Sequence, residues 1–125
     1  MEITSEQIDI WRQLRSENQR LEFKEAKQQY DYKKLCQYCV AIANEGGGFL
    51  VLGVSDKPPR EVVGTKACAD AVAHAQKLFE TLGFRVDIAE IAHPAGRVLV
   101  FEIPSRPKGT AYHLDGAYLL LSHTR

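Results

Sequence analysis

Residues 49–54 read FLVLGV, an unbroken apolar run in a chain otherwise well supplied with charge. A strand with one face in water alternates apolar and polar residues, whereas a strand covered on both faces reads as a continuous apolar run. The run therefore predicts a central strand with other elements packed above and below it. The chain has 125 residues, enough for one domain, 1–125, with a real core. No apolar run approaches the roughly 18 residues needed to cross a bilayer, so no membrane partner is expected. The 16 basic and 16 acidic residues cancel, so the chain as a whole is no electrostatic magnet for nucleic acid. The opening MEITSEQIDIWRQ is acidic and helical in pattern, unlike a signal peptide. The cysteine count, 3, is odd in a chain with a good core, and points to free thiols in a reducing cytoplasm.

The elements around the central run follow from caps and periodicity. Thr4 or Ser5 can cap a first helix with Ile8, Trp11 and Leu14 or Arg15 on one side. Residues 19–25 read as a strand. Asp31 caps a second helix over 32–44, whose Leu35, Cys39, Ile42 and Ala43 form a buried stripe before EGGG stops it. A loop, SDKPPREVVGTKA, leads to a third helix from about Ala67 to Leu82, with Cys68, Val72, Ala75, Phe79 and Leu82 as its apolar stripe and His74 on the exposed face. Residues 84–92 form a strand in which Phe84, Val86 and Ile88 alternate; the phase slips at Ala89, which predicts a bulge. HPAG turns into the partner strand RVLVFEI, and a second loop, SRPKGTA, leads to the hairpin YHL-DG-AYLLL. The predicted class is α/β or α+β: one mixed sheet with about three helices packed on it.

Several patterns invite a chemical reading. Cys36 and Cys39 have redox spacing, but they fall inside the second helix, and only Cys68 and His74 are candidates to complete a zinc site. Buried small hydrophobes are the better reading. EGGG, residues 45–48, runs from helix into strand with no following Gly-Lys-Ser/Thr, so it is neither a Walker loop nor a dinucleotide fingerprint. Its glycines let the backbone pass close to something. Lys57, Arg60 and Lys66 in one loop, and Arg106 and Lys108 in another beside Tyr112 and His113, make a nucleic-acid footprint if the two loops meet at one edge of the sheet. Scattered solvated charges are the alternative.

The stretch ENQRLEFKEA, residues 17–26, is sharper. Leu21 and Phe23 share one face of a strand, and Glu22 and Lys24 share the other. If Glu17, Glu22 and Asp56 converge, they offer hard oxygen ligands to Mg²⁺ or Mn²⁺, with Lys24 beside a phosphate. Glu17 needs a bend to join Glu22, since positions five apart on a strand face opposite ways. The bland alternative is a surface strand with Glu22 and Lys24 in solvent.

Taken together, ENQRLEFKEA, AIANEGGGFLVLGVSD, the VVG after the proline loop and RVLVFEIPSRPKGTAYH resemble the Schlafen AlbA-like domain, over roughly Leu14 to Arg125. The family is widespread in bacteria and forms the N-terminal core of the animal Schlafen proteins. The resemblance implies a mixed α/β fold and DNA or RNA binding. In the animal branch, similar domains cut transfer and ribosomal RNA with a divalent metal held by three carboxylates. Those positions correspond to Glu17, Glu22 and Asp56, with Lys24 alongside. The chain departs from the family where Leu121 and His123 replace an expected arginine and glycine. The animal enzymes pair two lobes; a homodimer would supply the second here. Two expectations follow: a metal-dependent endoribonuclease acting on structured RNA, or a non-catalytic DNA-binding or regulatory module.

Overall fold

The structure is a computed structural model that describes residues 2–14 and 20–124. Its core is a four-stranded mixed sheet in the order β1-β2-β4-β3. β1 (Leu21–Lys24) and β2 (Gly48–Leu52) run parallel, joined by the helix α2 (Tyr32–Asn44). β4 (Gly96–Ile103) pairs antiparallel with β2 on one side and with β3 (Asp87–His93) on the other. A small hairpin, β5 (His113–Leu114) and β6 (Ala117–Tyr118), follows, its Asp115-Gly116 turn having positive φ at both residues.

The FLVLGV run is the central strand. Leu50, Val51, Leu52 and Val54 are fully buried because the sheet is covered on both faces. Leu50 and Leu52 join Leu99 and Phe101 beneath α2. Phe49 and Val51 join Val98, Val100, Leu21 and Phe23 on the other face, against Ile8 and Trp11 of α1 (Ser5–Arg12). The ring of Trp11 lies 4.8 Å from that of Phe49. Local chemistry sets the helix starts: Thr4 accepts the Gln7 amide and Asp31 accepts the Lys34 amide.

The third helix differs from the expectation. α3 is Ala71–Leu82, capped by Asp70 and closed by Gly83 at φ 79°. Ala67 and Cys68 precede it, in a loop whose carbonyls are held by the Arg97 guanidinium. The buried stripe is also displaced. Leu78 is the fully buried residue, packed into the α2 core, whereas Val72 is 82 % exposed and Phe79 48 %. His74, expected on the exposed face, is of intermediate exposure, with Nδ1 near the Asp70 carbonyl. β3 carries no bulge either. Its ladder with β4 is continuous from Asp87↔Glu102 to His93↔Gly96. The phase slips because Phe84, Val86 and Ile88 pack beneath α2, while Ala89 and Ile91 pack on the α1 face. A short helix, α4 (Leu121–Thr124), buries Leu121 beside α2 and was not foreseen. Among the described residues, no helix is long and apolar enough to cross a membrane.

The EGGG segment is where backbones crowd. A Cβ on Gly47 would lie 2.7 Å from the Ser105 amide nitrogen and 2.8 Å from the Ile103 carbonyl, and a Cβ on Gly48 would collide with the backbone of Arg20. These glycines let α2 return directly into the sheet between two neighbouring chains. Asn44, the last residue of α2, ties that end to the hairpin. Its amide donates to the Tyr112 and Leu119 carbonyls and accepts the Tyr112 N–H.

Candidate nucleic-acid interface

Parallel pairing sets the carboxyl end of β1 beside that of β2. Lys24 lies opposite Leu52, and the Gly53 N–H bonds the Lys24 carbonyl. The loops that leave these two strands, 25–31 and 53–70, therefore emerge at the same end of the sheet. In parallel sheets that end is the usual place for a site, because the connections diverge there.

Glu22 and Lys24 occupy the α2 face of β1. Glu22 is fully buried, although β1 is an edge strand. The surface-strand alternative is therefore wrong for Glu22, which is close enough to Tyr30 for its charge to act on that hydroxyl. Lys24 reaches outward from the same face. Its Nζ lies 3.9 Å from the Asp56 carboxylate and 5.2 Å from the centre of the Tyr38 ring. Burial pulls the Lys24 ammonium down, but the Tyr38 hydroxyl and the charges of Asp56 and Glu22 more than offset it, so the net shift is upward. Lys24 is thus a firm cation between two carboxylates. Tyr30, also near Glu22, has its hydroxyl pushed up by burial and by the neighbouring Tyr38 and Glu22, and stays neutral. Lys34 also reaches over the Tyr38 ring, 5.4 Å from its centre, and donates to the Thr124 carbonyl.

Of the three expected carboxylates, then, Glu22 and Asp56 both act on Lys24, while Glu17 lies outside the described residues. Among the described residues, no three His, Cys, Asp or Glu side chains form a metal cluster. The two carboxylates near Lys24 have the oxygen-donor chemistry that Mg²⁺ or Mn²⁺ takes.

The basic loops do not meet. β4 is antiparallel to β2, with Ile103 opposite Gly48, so loop 104–112 leaves the end of the sheet where β2 begins. Lys108, Tyr112 and His113 are consequently remote from Lys57 and Lys66. Two of the expected residues make contacts within the fold. Arg60 is buried, donates to the Leu14 carbonyl and lies with its guanidinium carbon 4.8 Å from the Phe23 ring centre. Arg106 donates to the carbonyls of Asn44 and Thr110. Tyr112 stacks on Phe84, with ring centres 4.4 Å apart. Lys57 and Lys66 remain exposed on the 53–70 loop. No motif in the sequence marks Lys27, on the loop after β1, whose carbonyl accepts the Lys66 N–H. Nor does any motif mark Tyr38, which sits between the two cysteines of CQYC. Cys36 and Cys39 are buried inside α2 as expected, and burial pushes both thiols up.

The sequence model of the family described as Schlafen, AlbA_2 matches residues 17–120. The chain belongs to the Schlafen AlbA_2 family. No curated protein sequence matches it. Among solved structures, this AlbA_2 chain is similar to the N-terminal domain of a RecG-related protein from Nitrosomonas europaea, named for its relation to an ATP-dependent DNA helicase. The identity is 20 %, the match covers 96 % of this chain and 89 % of that one, and the TM-score is 0.64. It is also similar to the DIP2311 protein from Corynebacterium diphtheriae, at 23 % identity over 70 % of this chain, with a TM-score of 0.57. The AlbA_2 chain covers only 18 % of the length of that protein. At these identities the likeness is one of fold. It agrees with the mixed sheet and helices described above.

Proposed function

We propose that this AlbA_2 domain binds nucleic acid, RNA or DNA, across the carboxyl ends of β1 and β2. The observation that carries the reading is Lys24, a cation made firm by Glu22, Asp56 and Tyr38 at the open end of a parallel strand pair. Lys57 and Lys66 stand exposed on the loop beside it, so a phosphate backbone crossing this end meets several ammonium groups. Family membership and the DNA-helicase relation of the N. europaea protein support the same reading. The test is binding of transfer RNA and of single- and double-stranded DNA at two salt concentrations. Affinity should fall steeply as salt rises, and Lys24→Ala with Lys57→Ala should weaken every nucleic acid alike. Affinity indifferent to both salt and the double substitution would sink the proposal.

A second, finer reading is metal-dependent cleavage of RNA. The observation favouring it is the burial of Glu22 on the side that faces Lys24, where a merely solvating carboxylate has no reason to be. Glu22 and Asp56, with Glu17, would hold Mg²⁺ or Mn²⁺; such an ion, when bound, supplies an activated water and charge neutralisation at a phosphate. Lys24 would hold a phosphate oxygen by charge-assisted hydrogen bonding. In Mn²⁺, Glu22→Gln and Asp56→Asn should each abolish cleavage while keeping RNA bound. Wild-type protein that binds RNA in Mn²⁺ and never cuts it would leave the binding module alone standing.

A further inference from the structure

A second concavity opens beside this site, between the loop after β1 and the segment 63–69. It is a cleft of about 560 Å³ lined by Lys27, Gln28, Val63, Gly64, Lys66 and Ala69 among others. That volume falls within the roughly 300–1,000 Å³ typical of small-molecule sites.

The cleft is built rather than incidental. Thr65 Oγ1 donates to the Ala26 carbonyl and accepts the Ala67 N–H, and the Lys66 N–H binds the Lys27 carbonyl at 2.9 Å. From below, Arg97 donates to the carbonyls of Thr65, Ala67 and Cys68, and its Nε pairs with Glu90. The guanidinium is therefore spent on holding the wall, and its charge is answered by a carboxylate. Lys27 and Lys66 are different. Both are exposed, and neither has an ion-pair partner among the described residues. Two lysines without an ion-pair partner among the described residues thus line the same cleft as Gln28 and an apolar floor of Val63, Gly64 and Ala69.

We propose that this cleft holds one nucleotide unit: a flat ring against the floor and its phosphate between Lys27 and Lys66. Among the described residues the lining contains no carboxylate, the group that usually reads a ribose hydroxyl. The cleft therefore accepts ribo- and deoxyribonucleotides alike. The unit is either a free nucleotide or one residue of a bound strand. Only the second source rests on the nucleic-acid reading above.

The test uses the whole chain with adenosine monophosphate, its deoxy form, adenosine and inorganic phosphate, titrated separately by calorimetry. The two monophosphates should bind with similar affinity. Adenosine and phosphate should each bind at least about tenfold more weakly, because each lacks half of the contacts. Lys27→Gln with Lys66→Gln should cost adenosine monophosphate at least about tenfold and leave the melting temperature unchanged. Wild-type affinity in that double variant, or a monophosphate that binds no better than phosphate, overturns the proposal. A single-stranded oligonucleotide separates the sources. If it displaces the monophosphate, the cleft is a subsite of the strand path; if it binds beside the monophosphate, the cleft takes the free nucleotide. Protein that binds the monophosphate and no oligonucleotide overturns the nucleic-acid reading alone, and the converse overturns the cleft alone.

Discussion

The Lys24 ammonium lies 3.9 Å from the Asp56 carboxylate, with the two side chains 26 % and 46 % exposed. Half-exposed pairs of this kind contribute little to folding, since water screens the attraction and two flexible side chains must be held. Yet strand pairing places them together at the one sheet end where both loops diverge. A double-mutant cycle on Lys24→Met and Asp56→Asn, read by urea unfolding, should give a coupling below about 1 kcal/mol. In Lys24→Met, nucleic-acid affinity should fall far more than stability does. A coupling above about 2 kcal/mol would make the pair a structural clamp instead.

Arg60 should behave in the opposite way. Its buried guanidinium donates to the Leu14 carbonyl and lies over Phe23, while its own carbonyl accepts from Arg12 at 3.0 Å. It fastens the end of α1 to the sheet. Arg60→Ala should destabilise the fold by about 2–4 kcal/mol, from a lost charged hydrogen bond and a lost cation–π contact. Lys57→Ala, on the exposed part of the same loop, should leave stability within about 0.5 kcal/mol and weaken nucleic-acid binding. Chemical denaturation and a binding titration on the two variants check both halves. A destabilisation by Lys57→Ala equal to that by Arg60→Ala would refute the division of labour.

These two residues show what was legible in the sequence. Asp31 before α2 and Asp115-Gly116 in the hairpin were readable because a cap and a primed turn are local chemistry. FLVLGV was readable because burial on both faces removes alternation. The start of α3 was not, because Arg97 on a distant strand holds the carbonyls of Ala67 and Cys68 out of the helix. Nor was the fate of Arg60, since an arginine in a polar loop looks solvated until Phe23 and the Leu14 carbonyl come to meet it. The separation of Lys57 from Lys108 depends on β4 running against β2, which the order of elements alone does not specify. Glu22 stands out in the sequence as unusual for a strand, but its complete burial is a product of the tertiary fold.

The glycines at the end of α2 offer a test of crowding against strain. A Cβ on Gly47 would meet backbone atoms of Ile103, Pro104 and Ser105 within 3 Å, at a φ of 83°. Gly83, the C-cap of α3, has φ 79° and nothing within 4 Å of an added Cβ. Gly83→Ala should therefore cost about 1 kcal/mol, the left-handed penalty alone. Gly47→Ala adds a clash with main chain that cannot step aside, and its loss should exceed that of Gly83→Ala by about 1–3 kcal/mol. Thermal melts of the two variants give the comparison, and equal losses would mean that the 45–48 segment yields more readily than its contacts imply.

The acid limb of stability should report on how α1 is docked. Asp9 Oδ1 accepts from Arg12 Nε at 2.8 Å and lies 2.9 Å from Nε2 of the nearly buried His93. His93 Nδ1 is itself occupied as acceptor of the Ala95 N–H, so a neutral His93 carries its proton on Nε2 and donates it to Asp9. The Arg12 hydrogen bond first, and the His93 hydrogen bond second, hold the Asp9 carboxyl below its ordinary value of 3.8. A carboxylate whose pKa is lower in the folded state than in the unfolded chain contributes stability that is fully present above the unfolded value. That contribution is lost as pH falls through the folded value, where the native carboxylate also takes up its proton. Melting temperature measured from pH 7 down to about pH 2 should therefore drop more steeply below about pH 4 in the wild type than in Asp9→Asn. At neutral pH the variant should be the less stable of the two, and the curves should converge in acid. Parallel curves over the whole range would show that the Asp9 carboxylate does not help to hold α1 on the sheet.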